Sequence, residues 1–276
     1  MSDPAHLAVA CALSPRLRGV LAEASRFAGL FDARVSILHA GARSETTEKQ
    51  FATAIGEAGL PAETPVHWAA GEPAAALSGL ADEQSADILA AGALERDVEM
   101  QFLSGVARGL LRSARCSLVL FTKPSEQPQP FRRIVVLTDF TPAAAEALRL
   151  ALHVAEREKV EVLHVLSVFT PFTAARAKLG TEDEGPARHE RDEEGMLADF
   201  VSGAADSPVP IETRIIHTTT GMGASDFTKT IEADLLVVPA ETTAEGETRL
   251  PTSMDWVMQV IPCNLWVVKQ PPASKA

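Results

Sequence analysis

The chain has 276 residues, 46% hydrophobic and 22% charged, with 37 acidic against 25 basic side chains and a formal net charge of −12. The length allows two ordinary domains, each with its own core. The acidic balance excludes general nucleic-acid binding, which needs a basic face, no apolar run is long enough to span a bilayer, and three cysteines form no disulfide framework.

The N-terminal MSDPAHLAVACAL has no basic region ahead of its short apolar stretch, so it reads as a first strand rather than a signal peptide. Together with the cysteine usage, this gives the expectation of a cytoplasmic protein. Short apolar runs predict strands near 6–12, 33–40, 64–70, 87–92 and 116–122. Between them, helices are predicted near 15–30, 45–59, 73–85 and 103–113; Gly59 and Pro61 sit where a helix stop is expected. The polar, Pro-rich KPSEQPQP at 123–130 has the composition of a linker. It divides the chain into 1–124 and 131–271, with 125–130 between them.

Ile134, Val135, Val136 and Leu137 form a strand-like run that ends at Thr138-Asp139. Thr141 can cap a helix whose first position is Pro142, where a missing N–H costs nothing. Ala147, Leu148, Ala151, Leu152 and Ala155 then give that helix one apolar face. Strands are predicted near 132–138, 160–168, 209–217, 234–239 and 263–269, and helices near 142–157, 188–204, 222–232 and 252–260. Ser225 or Thr220 is the expected cap of the third of these helices. The acidic run TEDEGPARHERDEE at 181–194 reads as a solvated surface segment.

The two series share landmarks in the same order. Leu7 matches Ile134, Ser14-Pro15 matches Thr141-Pro142, and Leu38-His39 matches Leu163-His164. His67 and Gly71 match His217 and Gly221, Ala86-Asp87-Ile88-Leu89 matches Ala233-Asp234-Leu235-Leu236, and Cys116 matches Cys263. Ordered self-similarity of this kind indicates a duplicated unit. Strands alternating with one-faced helices imply parallel sheets covered on both sides.

IVVLTDFTPAAAEALRLALHVA resembles the opening of a universal stress protein domain, and the strand ending in LHV, the Gly71-Glu72-Pro73 turn, the ADLL strand and the closing Pro-Cys-hydrophobic strand are similar too. The resemblance covers nearly the whole chain as two tandem copies. It implies two Rossmann-like open five-stranded parallel sheets of order 3-2-1-4-5, related by a pseudo-twofold axis. It also implies pairing of the two last strands, 117–121 facing 264–268, and leaves room for a homodimer. Strand order reverses between strands 1 and 4, and ligands bind outside the carboxyl ends of the strands at such a point.

In the family an adenine nucleotide occupies that crevice, held by a loop of the form G-x2-G-x9-G-[ST] and an acid after strand 1. Glycines let the backbone approach phosphates, and the following helix offers free N–H groups. In the first half Gly92 matches the first glycine, Glu95 stands at the second, Ser104-Gly105 stands for Gly-Ser/Thr, and Ala12 replaces the acid. In the second half Asp139 is in place and Val165 follows His164 as in LHV. Ala240 and Thr243 replace the two glycines there, and Pro251-Thr252 stands for Gly-Ser/Thr. ATP or AMP is therefore expected to bind weakly or not at all, with no obligatory cofactor.

Cys11, His39 and His67, or His164, His217 and Asp139, would lie near strand carboxyl ends and could in principle hold zinc, but no short ligand spacing supports a metal site. No nucleophile elbow, Walker loop or zinc-protease signature occurs. The expectation is a non-enzymatic stress-response binding or regulatory protein with an unknown protein or small-molecule partner. The alternatives are an ATP- or AMP-binding, slowly hydrolysing switch, and a small-molecule or metal-dependent activity at the strand ends.

Overall fold

A computed structural model describes residues 3–93, 103–169, 186–203, 207–218, 222–243, 247–258 and 261–270. Strands β1 His6–Ala10, β2 Arg34–Ala40, β3 Val66–Ala69, β4 Ile88–Gly92 and β5 Ser117–Phe121 alternate with helices α1 Leu17–Gly29, α2 Glu45–Glu57, α3 Pro73–Glu83 and α4 Gly105–Ser113. After the connection come β6 Arg133–Thr138, α5 Pro142–Glu158, β7 Val162–Phe169, α6 Pro186–Ser202, β8 Ile211–His217, α7 Gly223–Thr230 and β9 Leu235–Thr242. A two-residue β10, Thr248–Arg249, a 3-10 helix Thr252–Met258 and β11 Asn264–Gln270 complete the described elements.

The strands form one open sheet in the order β3-β2-β1-β4-β5-β11-β9-β6-β7-β8, with β10 paired to β9. Each half has the expected 3-2-1-4-5 order, and all pairs within that path are parallel except β5 with β11. The two sheets expected from the sequence are thus one sheet, joined edge to edge through that antiparallel pair.

The register there is self-symmetric. Ser117 pairs with Ile88 and Asn264 with Leu235, which makes Val119 and Trp266 equivalent positions. These two lie opposite each other across the junction, flanked by Leu118 opposite Val267 and Leu120 opposite Leu265. A pair of equivalent residues facing each other marks a local twofold axis.

Equivalent polar latches hold the strand starts. Asp87 accepts hydrogen bonds from the N–H groups of Ala5 and His6, both at 2.9 Å. Asp234 does the same for Arg132 and Arg133, at 2.7 and 2.9 Å. A carboxylate accepting two backbone N–H groups in charge-assisted hydrogen bonds ties the start of the first strand of each half to the strand beside it.

Helix ends follow their local chemistry. The Thr141 hydroxyl accepts from the Ala144 N–H, with Pro142 next in line. Glu72 receives the N–H groups of Ala74 and Ala75, and Gly59 takes the left-handed conformation, φ 69°, past α2. Ser14-Pro15 does not repeat the Thr141-Pro142 cap, because α1 starts at Leu17 after Arg16 with no side-chain cap. Ser225 does not cap α7 either. Met222 holds the cap position, and Ser225 is buried inside the helix with its hydroxyl unpaired; Thr220 and Gly221 lie outside the described residues. The helix expected at 252–260 is a 3-10 helix over 252–258.

One face of the sheet is covered by α1, α2, α5 and α6, the other by α3, α4, α7 and the 3-10 helix. Both cores run across the junction. On the first face Trp266 is fully buried under Phe27 and Phe31, with ring centroids 5.2 and 5.9 Å away. Beside it Arg26 pairs with Glu158 from α5 and Glu23 from its own helix, and lies over the Phe131 ring at 4.3 Å. Burial pushes both carboxyls upward in pKa and Arg26 pulls them back. On the second face Lys269 is buried and donates to the carbonyls of Leu111 and Ala114 at the end of α4.

Removing one member of a buried ion cluster leaves charge without a partner. Arg26→Leu is expected to cost about 3–5 kcal/mol, whereas the triple change that also converts Glu23 and Glu158 to Leu recovers most of it. Urea denaturation of the three proteins tests this, and an equally unstable triple variant would refute it.

Lys269 gives a pH test. Burial lowers its pKa to about 8 from 10.5, so the cost of holding it charged is fully present below pH 8 and is relieved as pH rises toward 10.5. Wild type should gain about 2–3 kcal/mol over Lys269→Met between pH 7 and 10. Comparing the two proteins cancels the titrations of Cys11 and Cys263, which Lys269 does not touch. Parallel stability curves would show that the ammonium is not buried in solution.

Candidate functional site

Two crevices open where the strand order reverses, one beside the carboxyl ends of β1 and β4, the other beside those of β6 and β9. Because β5 and β11 are antiparallel, the crevices face opposite ends of the sheet.

The second crevice has a volume of about 470 Å³ and is lined by Asp139, Ser167, Ala240, Glu241 and Arg249 among others. Asp139 ends β6 in a tight turn. Its carboxylate accepts from the Thr141 hydroxyl at 2.6 Å and from the Thr141 N–H at 3.3 Å, and Phe140 between them is left-handed, φ 63°. Such a φ is uncommon for an aromatic residue and is held here by the Thr138 hydroxyl, which accepts from the Phe140 N–H at 3.0 Å. On the other side β9 runs past its pairing with β6, still paired with β11, and turns back as β10, which sets Arg249 opposite Glu241.

Strand register moves several sequence matches. Ile134 pairs with Leu163 while its counterpart Leu7 pairs with Val35, so Ser167, not His164, occupies the place of His39. His67 corresponds to Arg214 rather than His217 for the same reason. Val165 is fully buried in the core, and Val168 lines the crevice instead. Gly92 pairs with Phe121 and Pro239 with Val268, so Pro239 stands for Gly92 and Ala240 lies one residue further. Pro251 and Ser253 line the crevice beside Thr252, whose side chain lies outside the described residues.

The first crevice is larger, about 640 Å³, and Gly92 and Ser104 both line it. Gly105 opens α4 just behind the lining, and Glu95 lies outside the described residues. The Ser104 hydroxyl accepts from the Ala107 N–H at 3.0 Å and so caps α4. Apolar walls come from Leu17, Val20, Leu77 and Leu110. Cys11 and His39 lie together, with His39 Nδ1 donating to the Cys11 carbonyl at 2.8 Å. Burial pushes the Cys11 thiol far up in pKa, so it is neither a thiolate ligand nor a ready nucleophile.

The metal candidates do not converge. His39 pairs with Trp68 and His67 with Leu38, so the two imidazoles leave opposite faces of the sheet. His164 pairs with Glu212 and contacts Phe227 on the second face, while His217 stacks on Phe169 and approaches Glu193 on the first. Among the described residues no three His, Cys, Asp or Glu side chains form a metal set.

The sequence profile described as the universal stress protein family matches residues 130–269, half of the chain. The chain belongs to the universal stress protein family. No curated protein matches it. Among solved structures it is similar to a universal stress protein from Archaeoglobus fulgidus, with TM-score 0.67 and 16% identity over 96% of this chain and 98% of that one. A functionally unknown protein from Pseudomonas aeruginosa matches at TM-score 0.67 and 15% identity, over 96% and 92% of the two chains. At such identities the likeness speaks for the fold of this universal stress protein and not for its ligand. Arg16, Arg249 and Glu241 escaped the sequence reading; a Gly-containing turn between two short β-prone runs at 241–249 was the available sign of a hairpin.

The thiols provide a check on these crevices. Cys11 and Cys263 are buried and raised in pKa, and burial raises Cys116 to about 11. None should react promptly with Ellman's reagent at pH 8 in native protein, and all three should react in guanidinium. A fast native thiol, assigned by mass spectrometry to Cys11, would show that the first crevice is wetter than described.

Proposed function

We propose that this is a tandem universal stress protein, with domains 1–124 and 131–271 joined by the linker 125–130, acting in the cytoplasm as a non-enzymatic binding and regulatory module of the stress response. The paired Asp87 and Asp234 latches and the self-symmetric β5–β11 register support the tandem reading. That pairing uses, within one chain, the strand edge through which two separate domains would associate.

The observation that carries the functional reading is the mouth of the second crevice. Pro239 offers no N–H and adds a ring where a phosphate cradle needs glycine. Glu241 would stand as like charge beside a triphosphate, and Arg249 is already set opposite it. Asp139 uses its Oδ1 to build its own turn. The first crevice keeps Gly92 and Ser104 but has Ala12 in place of an acid. The two crevices therefore suit small molecules other than ATP, and among the described residues neither presents an activated nucleophile or an acid–base pair. No helix among the described residues is long and apolar enough to cross a membrane.

Calorimetric titration with ATP, AMP and adenosine tests this. ATP should bind no tighter than a Kd of about 1 mM, with adenosine no weaker than ATP. Micromolar ATP binding, lost in Asp139→Ala or Ser104→Ala, would restore the nucleotide-switch reading.

A further inference from the structure

The two crevices differ in charge as well as in size. Among the described residues lining the first there is no carboxylate, and its Arg16 already has a partner. The second is lined by two carboxylates, Asp139 and Glu241, and one guanidinium, Arg249. Arg249 stands opposite Glu241 across β9 and β10, so these two charges balance at the mouth. One negative charge is left over, that of Asp139. Its Oδ1 holds the Thr141 N–H and hydroxyl, both neutral donors, and its Oδ2 bonds no described residue.

Beside that carboxylate the crevice has a floor of hydroxyls. Thr138 and Ser167 are partners across β6 and β7, so their side chains are neighbours on one face of the sheet. Each is 2% exposed, and both line the crevice. The Thr138 hydroxyl accepts from the Phe140 N–H and keeps a second lone pair. The Ser167 hydroxyl bonds no described residue, so a buried polar group meets the crevice with its bonding capacity unspent. The rest of the lining is largely apolar, with Ala143, Val168, Leu250 and the rings of Phe140 and Phe169.

One carboxylate, two hydroxyl oxygens and apolar walls fit a primary ammonium on an apolar body. An ammonium has three N–H donors, and Asp139 Oδ2, Thr138 Oγ1 and Ser167 Oγ are the acceptors on offer. Its single charge answers the one left over. An anionic head would meet Asp139 as like charge, and an alcohol would leave the carboxylate without a counterion. A hard metal ion takes about six or more oxygen ligands and would leave the apolar walls of this 470 Å³ crevice uncovered.

We propose that the second crevice binds a primary amine carried on an apolar, ring-bearing body, with the ammonium at Asp139, Thr138 and Ser167 and the body against Phe140, Phe169 and Leu250. This rests on the reading that the crevices bind small molecules other than ATP, and it adds the ligand class for one of them.

The test uses the full-length protein at neutral pH and isothermal titration with phenethylamine, phenethyl alcohol and hydrocinnamate, which share a ring and differ in head charge, with ATP run in parallel. The amine should bind at one site per chain and about tenfold more tightly than the alcohol, the margin of charge-assisted over neutral hydrogen bonds. Hydrocinnamate should bind more weakly than the alcohol. Asp139→Asn keeps an Oδ1 acceptor for the Thr141 turn and should bring the amine down to the level of the alcohol. Ser167→Ala removes one acceptor and should weaken the amine by about threefold or more. Circular dichroism checks that both variants fold. Equal binding of amine and alcohol by wild type, an amine preference that survives Asp139→Asn, or full amine affinity in Ser167→Ala overturns the proposal. So does the absence of amine binding when ATP also fails to bind, in which case the broader reading stands. Micromolar ATP binding that is lost in Asp139→Asn overturns the broader reading and the proposal with it.

Discussion

The antiparallel pairing of β5 with β11 is the constraint on which the rest of this molecule depends. A five-stranded parallel sheet ends in a row of unpaired backbone groups, and an exposed edge invites association with another chain. Here the two vulnerable edges satisfy one another, with Val119 opposite Trp266 at the symmetry point. Thr122 reinforces the seam by donating its N–H and its hydroxyl to the Asn264 side chain, at 2.9 and 3.2 Å. Everything near the seam is arranged around it. Trp266 fills the first face beneath Phe27 and Phe31, and His153 of α5 stacks on Phe31 at 4.9 Å while bonding the Leu30 carbonyl. On the other face Lys269 reaches the Leu111 and Ala114 carbonyls at the end of α4, and Thr242 reaches the Arg115 carbonyl just beyond it.

This seam is asymmetric in chemistry although symmetric in register. Trp266 is matched by Val119, so one aromatic ring does the filling that two medium-sized residues would share in a symmetric pair. The Arg26, Glu23 and Glu158 cluster joins α1 to α5, and the backbone of Ser125 adds a long contact to Glu23 at 3.4 Å. The connection between the halves is thus tied to the same cluster as the two helices. A buried ionic cluster contributes little net stability against an apolar alternative of equal fit.

Much of this was legible in the sequence. The Thr141-Pro142 helix start follows from local chemistry, whereas strand order and the β5–β11 pairing were implied by the resemblance to the universal stress protein family. Asp87 and Asp234 could be matched because each does a job no other residue type does as well, accepting two backbone N–H groups at a strand start. The matches failed where a strand is apolar on both faces. β7 has no alternation to fix its register, so a shared Leu-His pair drew Leu38-His39 onto Leu163-His164, three residues from its partner Leu166-Ser167. An odd slip transfers every side chain to the other face of the sheet. That one displacement put Val165 in the wrong place and gave His164 and His217 positions that belong to Ser167 and Arg214. The short β10 and the positions of Arg16 and Arg249 were illegible for another reason: side chains on turns follow no periodicity, and only tertiary contact decides which of them reach a crevice.

The distance between the seam and the crevices explains why the two halves keep one fold while their crevices have parted. The seam contacts lie along β5, β11, the Phe27–Phe31 end of α1, α5 and the strand starts, whereas the crevices lie at the strand ends. Substitutions at separate sites act almost independently on stability. Ala12 against Asp139, Gly92 against Pro239, and His39 against Ser167 are therefore changes the fold can absorb on either side. They change the lining of each crevice. A chain built this way needs one half to supply the other with an edge partner, and nothing in that requirement asks the two halves to bind the same molecule.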